Sequence, residues 1–454
     1  MKIVGLDIGT TSVCGVCIDA DTGKLLQVCN RPNNANLSTA FSWQKQQDAE
    51  KLVGIVQDIL QELLAQQGTV DGIGVTGQMH GIVYVNAQGK AVSPLTTWQD
   101  GSGNELYQNG KTYAQWLTEQ TGMALATGYG GVTHFYNTVN NAVPTDAVAF
   151  CTIHDYVVMT LTGRTTPLVH PSDGASFGFY DLNKHCFDIA SVEKVGMDVS
   201  YFPEIANGYV VAGKTKEGIP VSVAIGDNQA SVVGSLQDME RSILINVGTG
   251  SQISCVVKEV PENSTLDCRP LVDGHYLLAG SSLCGGRAYA ILERFLRETA
   301  QCICGTPVTE AYSAMNQAME EYAEPAEPLI VDTAFSGTRS DPTKRGSITG
   351  ISIDNLTMAN LCHGVMNGMA EELHTLYAQM KPFIHTMPDR IIGSGNGIRK
   401  NKYLQQQFAK KFAMPMEIPF HTEEAAFGAA LFAMVACGVA ASMADAQQCI
   451  QYLQ

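Results

Sequence analysis

Positive charge is scarce in this chain: 28 Lys and Arg stand against 44 Asp and Glu, a formal net charge of −16. Nucleic-acid binding draws most of its affinity from Lys and Arg neutralising phosphates, so DNA, RNA and anionic membrane are excluded as main partners. A small anionic ligand stays compatible, provided backbone N–H groups or a metal cation offset its charge locally. Metal-ligand spacing is equally thin. The ten His contain no H-E-x-x-H, and the thirteen Cys form a single C-x-x-C, at Cys14 and Cys17. That pair sits in an alternating run, 12–18, where residues three apart point to opposite faces of a strand, so the thiols cannot share a metal. The odd cysteine count without a regular framework, and an opening Met1-Lys2-Ile3 with no signal-peptide pattern, make a reducing cytoplasm the expected compartment. The uncharged, Ala-rich run 425–444 is long enough to be mistaken for a bilayer span. Its large apolar residues recur at helical spacing and no Lys or Arg follows Lys411, so it reads as a buried Ala/Gly-rich helix rather than a bilayer span.

What is present is globular. Hydrophobic residues make up 45% and charged residues 16% of 454, room for two or three domains. Residues 2–6, 12–18 and 24–29 read as an antiparallel meander, and Leu52, Ile55, Val56, Ile59, Leu60, Leu63 and Leu64 mark a helical stripe. Short strands follow at 72–75 and 81–85. Strands first, then alternation with helices, indicates a mixed α/β domain.

An internal echo carries the domain argument. Asp7-Ile8-Gly9-Thr10-Thr11-Ser12 returns as Asn246-Val247-Gly248-Thr249-Gly250-Ser251, each time between two hydrophobic strands. Recurrence after half a chain predicts two related domains with a boundary near 236–241, not a solenoid of short period. A strand that turns at Gly-Thr presents N–H groups and hydroxyls to an anion. A plain hairpin is the alternative for one such turn, but two of them facing each other would hold the phosphates of a nucleotide, with Asp7 available to Mg²⁺.

A third cluster, Ile391-Ile392-Gly393-Ser394-Gly395-Asn396-Gly397, lets backbone approach a ligand closely and is not a G-x-G-x-x-G. Gly226-Asp227-Asn228-Gln229 follows an apolar strand, which suits either a carboxylate reaching into a cleft or a helix N-cap. Gln78-Met79-His80 and Trp98-Gln99-Asp100-Gly101 mix polar groups with an aromatic face, which suits a polyhydroxylated ligand, although His80 taken singly is more often a structural histidine.

Taken together and in order, Asp7 to Ser12, Gly77-Gln78-Met79-His80-Gly81, Thr97-Trp98-Gln99-Asp100-Gly101, Ser172-Asp173-Gly174-Ala175-Ser176, Gly226-Asp227-Asn228-Gln229, Gly337-Thr338-Arg339-Ser340-Asp341-Pro342 and Gly393-Ser394-Gly395 resemble the FGGY family of carbohydrate kinases, over nearly the whole chain. The resemblance implies an α/β fold of two actin-like, ribonuclease H-like domains with mixed sheets around a central cleft, divided as 1–236 and 237–454. It implies Asp227 as catalytic base and Asp7 as metal-associated carboxylate, both near Mg²⁺. It further implies Gly9, Thr10, Thr11 and Ser12 with Gly248, Thr249 and Gly250 as phosphate turns, and Gly393, Gly395 and Asn396 as the nucleotide loop. Gln78, Met79, His80, Trp98 and Asp100 are implied as the sugar pocket. The activity implied is ATP-dependent phosphorylation of the terminal primary hydroxyl of a ketose.

The runs at 97–101, 126–130 and 152–158, with Arg399-Lys400-Asn401, are most similar to the sedoheptulose-phosphorylating subgroup, the xylulose-phosphorylating one standing next. Ser102 departs from a frequent Arg, and Ser394 and Asn396 from smaller residues. An actin-like ATPase and a non-catalytic sugar sensor are the alternatives of other classes, and a homodimer stays open. An unperturbed Asp227, with a pKa of about 3.9, is expected to be charged at neutral pH.

Overall fold

Residues 3–6 are continuously apolar, the pattern of a strand covered on both faces, and the run extends from Lys2 to Ile8. In a computed structural model of the chain, which describes residues 1–262, 264–338, 341 and 343–453, this run forms β1 (Lys2–Ile8). Arg339, Ser340 and Pro342 of the motif at 337–342, and Gln454 of the expected second domain, lie outside the described residues. β2 (Ser12–Asp19) and β3 (Leu25–Pro32) complete the expected antiparallel meander. β4 (Gly72–Gly77) runs parallel to β1 on its other side, with Ile8 opposite Gly77. β5 (Val211–Lys214) and β6 (Pro220–Ser222) extend the sheet to the order β5-β6-β4-β1-β2-β3, and β7 (Ile225–Gly226) pairs in parallel with the end of β4.

α1 (Ala49–Gln67) carries the chain from the meander to β4. Asp48 caps it by accepting from the Lys51 N–H at 3.0 Å, and it buries Leu52, Val56, Ile59 and Leu63. Ile55 and Leu64 of the expected stripe are only half-buried. α2 (Ile153–Thr162), α3 (Pro171–Ser176) and α4 (Asp227–Ser235) follow in the same unit. A short strand expected at 81–85 is observed as Val83–Asn86.

The second unit repeats the arrangement of the first around a different strand. β8 (Ser242–Val247) pairs antiparallel with β9 (Ser251–Val257). With β10 (Asp267–Pro270), β11 (Tyr276–Ser282), β12 (Arg390–Ser394) and β13 (Met416–Glu417), the sheet order is β10-β11-β9-β8-β12-β13. β12 is parallel to β8, as β4 is to β1. α5 (Gly285–Cys304), α6 (Met358–Met380) and α7 (Lys402–Phe412) supply its long helices. Both units are therefore α/β with mixed sheets.

The chain then returns. α8 (Glu424–Ala436) packs on β1, β4 and α4, so the first unit comprises Met1–Asp238, Arg269–Tyr276 and Glu423–Gln451, and the second Met239–Cys268, Leu277–Thr422 and Tyr452–Gln454. The expected single block from 237 onward departs from this at two stretches. Glycine explains the return. A Cβ on Gly428 would overlap the Ala230 carbonyl, and one on Gly234 the Glu424 carbonyl, so the backbones of α4 and α8 touch where side chains would normally separate them. The helix also ends earlier than the uncharged run suggests. Gly438, with φ 72°, breaks it, and a separate turn occupies Met443–Gln447. Among the described residues no helix is long and apolar enough to cross a membrane. All thirteen cysteines are free, and Cys14 and Cys17 are buried on β2.

Candidate active site

The β1–β2 turn is built with its carbonyls turned inward. Gly9 O accepts from Asn33 Nδ2 at 2.9 Å, Thr10 O from Gln47 Nε2 at 3.2 Å, and Thr11 O from Asn33 N at 2.9 Å, while Gly9 N donates across the turn to Ser12 O. The N–H groups of Thr10 and Thr11 have no acceptor among the described residues. Successive unpaired N–H groups with occupied carbonyls make a concavity for an anion. Gln78 stands beneath this turn. Its Nε2 donates to Gln47 Oε1 at 2.9 Å and its Oε1 accepts from Thr10 Oγ1 at 3.4 Å, so its amide supports the turn.

Asp7 and Asp227 lie in the same unit. Asp7 Oδ1 is buried with no hydrogen-bond partner among the described residues. Burial, then the Asp227 carboxylate, then Glu423 push its pKa up to about 8. Asp227 is the first residue of α4. Gly226 is the N-cap, so Asp227 is the first helical residue and not the cap the alternative required. Its Oδ1 accepts from Asn228 Nδ2 at 2.9 Å. Burial raises its pKa, against His154, the Asn228 bond and Arg269, which favour the charged form. The expectation of an unperturbed carboxylate is thereby corrected, because the side chain is withdrawn from water. An orphaned, buried carboxylate oxygen beside a second carboxylate is a hard, oxygen-only donor set, and it fits Mg²⁺.

Three further titratable groups sit close by and were not singled out from sequence. His154 and Asp155 begin α2 and Asp173 lies on α3, all fully buried. His154 Nε2 is 2.9 Å from Asp173 Oδ1, without the alignment of a hydrogen bond. Burial drives the imidazole pKa down and the Asp173 carboxyl well up, so both neutral forms are favoured.

The residues expected for the sugar pocket lie in the same unit. His80 holds a left-handed backbone, φ 71°, and stacks on Tyr129 with ring centroids 4.7 Å apart and planes 9° apart. Its N–H donates to Ser176 Oγ at 3.2 Å, and its Nδ1 lies 2.7 Å from Ser176 O. A carbonyl only accepts, so Nδ1 carries the proton. Met79 is buried, with Sδ 3.7 Å from Asn228 Nδ2 and 2.6 Å from where a Cβ on Gly226 would stand. Trp98 is 46% exposed, and its Nε1 donates to Thr10 Oγ1 at 3.0 Å, which ties the aromatic wall to the anion turn. Asp100 is buried and accepts from Lys45 N at 3.0 Å and Ser102 N at 2.9 Å. About two of its four acceptor sites remain for a ligand. Ser102 is buried with its hydroxyl unpartnered.

In the second unit the echo turn obeys the same rule by other means. Gly248 O accepts from Gly286 N, Thr249 O from Arg287 N and Gly250 O from Gly248 N, so the start of α5 takes the place of the Asn and Gln side chains. Thr249 and Gly250 N–H again lack acceptors among the described residues. Asn246 Nδ2 donates to Ser394 Oγ at 2.8 Å, joining this turn to the third glycine cluster. Gly395, φ 83°, lies against Val247 O, and Asn396 opens the short helix Asn396–Arg399.

Sequence reasoning missed Asn33 and Gln47, which no motif marks, and left Tyr129, His154, Ser172 and Asp173 unassigned within runs it had quoted. A further hollow of about 780 Å³ in the second unit is lined by Asp332, Lys344, Gly368, Glu372 and Leu376. It contains none of the expected site residues.

The chain is similar to known proteins over nearly its whole length. The N-terminal domain of the FGGY family of carbohydrate kinases matches residues 2–243, and the C-terminal domain of that family matches residues 244–437. Sedoheptulokinase of Mus musculus is 29% identical, over 94% of this chain and 96% of its own. The ligand-bound xylulose kinase of Lactobacillus acidophilus superposes with a TM-score of 0.83 at 20% identity, covering 100% of this chain and 93% of that one. The gluconate kinase of the same organism gives 0.85 at 21%, covering 100% and 92%.

Proposed function

The chain belongs to the FGGY family of carbohydrate kinases, and we propose that it transfers the terminal phosphoryl group of ATP to the primary hydroxyl of a ketose, foremost sedoheptulose, to give sedoheptulose 7-phosphate. The observation that carries this reading is the conjunction, within one unit, of two buried carboxylates, a turn with unpaired N–H groups and the stacked His80 and Tyr129 rings. The sugar is drawn from the whole-length similarity to sedoheptulokinase.

Phosphoryl transfer through a loose transition state asks the protein for positioning and charge neutralisation more than for covalent work. Asp227 orients the attacking hydroxyl and takes its proton as the bond to phosphorus forms. The His80–Tyr129 stack and the remaining acceptor sites of Asp100 hold the sugar, with Trp98 as an apolar wall. Thr10 and Thr11 N–H groups take phosphate oxygens. The Gly248–Gly250 turn and the Gly393–Asn396 loop are assigned to the nucleotide. Asp7, with Asp227, would hold Mg²⁺, which when bound neutralises triphosphate charge.

The test is a coupled ADP-release assay over sedoheptulose, xylulose, ribulose, fructose and glycerol. The expected result is the highest kcat/KM with sedoheptulose. A preference for xylulose would move the sugar and keep the reaction. Sugar-independent ATP hydrolysis, or no sugar phosphate from any acceptor, would overturn the kinase reading.

A further inference from the structure

One peptide unit immediately ahead of Asp227 is gripped at both ends by side-chain hydroxyls. Thr76 Oγ1 donates to Ile225 O at 2.6 Å, and Gly226 N donates to Ser172 Oγ at 3.0 Å. The Ile225 carbonyl and the Gly226 N–H belong to the same planar group. Both hydroxyls are buried, Thr76 on β4 and Ser172 on α3. The chain direction of the second bond is fixed by its neighbour. His170 Nδ1 accepts from Ser172 N at 3.2 Å, so it carries no proton, and its 2.9 Å contact with Ser172 Oγ must use the hydroxyl hydrogen. Ser172 therefore gives its one hydrogen to His170 and takes one from Gly226. Burial, which presses the His170 pKa down to about 3, keeps that tautomer neutral at working pH.

A clamp matters at this place because position 226 is glycine, in an ordinary extended conformation at φ −62° and ψ 148°. Met79 Sδ occupies the room a Cβ would need, at 2.6 Å. Glycine leaves the backbone more freedom than any other residue, and this one stands directly before the expected base. The N-cap itself, Gly226, has no side chain with which to secure the start of α4. We propose that Thr76 and Ser172 are positioning residues for the phosphoryl-transfer reaction, two hydroxyls that fix the Ile225–Gly226 peptide and so determine where the Asp227 carboxylate stands. The other end of α3 has a separate task, since Ser176 holds His80 of the sugar pocket. One short helix thus serves the base from its first turn and the sugar from its last.

This inference rests on the kinase reading, and its test separates the two. Hydrogen exchange by mass spectrometry over residues 223–228 reads the clamp without any substrate. Slow exchange at Gly226 in the parent and faster exchange in Ser172→Ala is expected. Equal rates overturn the clamp. In steady-state kinetics with the sugar the parent uses best, Thr76→Val and Ser172→Ala should each lower kcat about tenfold or more with sugar KM within about twofold, since a 1 Å misplacement can cost about 10²-fold. Because both act on one peptide, the double variant should lose less than the product of the singles. Thr76→Ser and Ser172→Thr keep the hydroxyl and should stay near the parent, which decides the matter even if Thr76→Val does not fold. Ser176→Ala should instead raise sugar KM more than it lowers kcat. If Ser172→Ala and Ser176→Ala change kcat and KM alike, or the hydroxyl-retaining variants fail as badly as the others, the role is merely structural and the proposal falls. A parent that phosphorylates no sugar overturns the kinase reading instead, whatever the exchange shows.

Discussion

The two glycine turns of this chain solve one problem in two ways. Each follows a central strand, lies beside the carboxyl end of a parallel neighbour, and frees its N–H groups by occupying its carbonyls. In the first unit, Asn33 and Gln47 occupy them, and the strand ends in a buried acid, Asp7. In the second unit the start of α5 does so through its backbone, and the matching residue is Asn246, which bonds Ser394. The second hairpin is also one residue tighter, pairing Val247 with Ser251 where the first pairs Ile8 with Val13. An anion turn thus needs only its geometry. On the proposed reading the first turn works beside a cation, for which its strand supplies the carboxylate of Asp7.

The comparison breaks hardest at the acids. Asp227→Asn is expected to fold and bind sugar by calorimetry, and to lose turnover by about 10²-fold or more, the usual worth of a general base. Near-normal turnover would remove the base from the account. Next comes the exchange of roles between matching positions. Asp7→Asn makes the first turn resemble the second and should raise the Mg²⁺ needed for half-maximal rate by on the order of tenfold, the factor that about 1.4 kcal/mol supplies. Asn246→Ala removes only the bond to Ser394 and should leave the Mg²⁺ requirement where it was. Equal shifts in both would mean that the two turns are not differentiated as described.

Stability tests the backbone half of the comparison. A Cβ on Gly285 would overlap the Gly250 carbonyl, whereas one on Gly248 meets nothing within 4 Å. Gly285→Ala should therefore destabilise by about 1–3 kcal/mol, as overpacking does, visible as a lowered Tm. Gly248→Ala should keep its Tm and weaken nucleotide binding, because only a ligand would find the new methyl in its way. A lowered Tm for Gly248→Ala with unchanged nucleotide affinity would take the second turn out of the binding site.

Much of this was legible in the residues. The meander, the echo and the strand-ending carboxylates follow from alternation and spacing, which are local and therefore written into short runs. What escaped was long-range. Gln47 is 37 residues from the Thr10 carbonyl it serves, and no periodicity marks an amide that supports a distant turn. The return of α8 escaped for the same reason: Gly428 and Gly234 are informative only once their helices are known to cross. Gln78 was expected in the sugar pocket beside Met79 and His80; its amide bonds Gln47 and Thr10 beneath the turn, partners that no short run of sequence names. The ordinary pKa assumed for Asp227 failed because burial is a property of the fold, not of the residue.

The smallest expected effect tests whether the first turn is tuned for a cation at all. Asp7 has its folded-state pKa raised from 3.8 to about 8, so the folded state holds its proton more tightly than the unfolded chain. Stability from this group is complete below about pH 4 and is lost as pH rises through about 8, by at most about 1.4 kcal/mol per pH unit. Asp155 and Asp173 are raised in the same direction and contribute alike in parent and variant. Asp7→Asn has no proton to lose, so its Tm relative to the parent should climb steadily from pH 4 to 8 without Mg²⁺. Saturating Mg²⁺ favours the charged carboxylate and should close that gap by stabilising the parent alone. A Tm difference independent of pH, or unmoved by Mg²⁺, would show that Asp7 is already ionised and partnered in the free protein, and the contrast with Asn246 would lose its electrostatic basis.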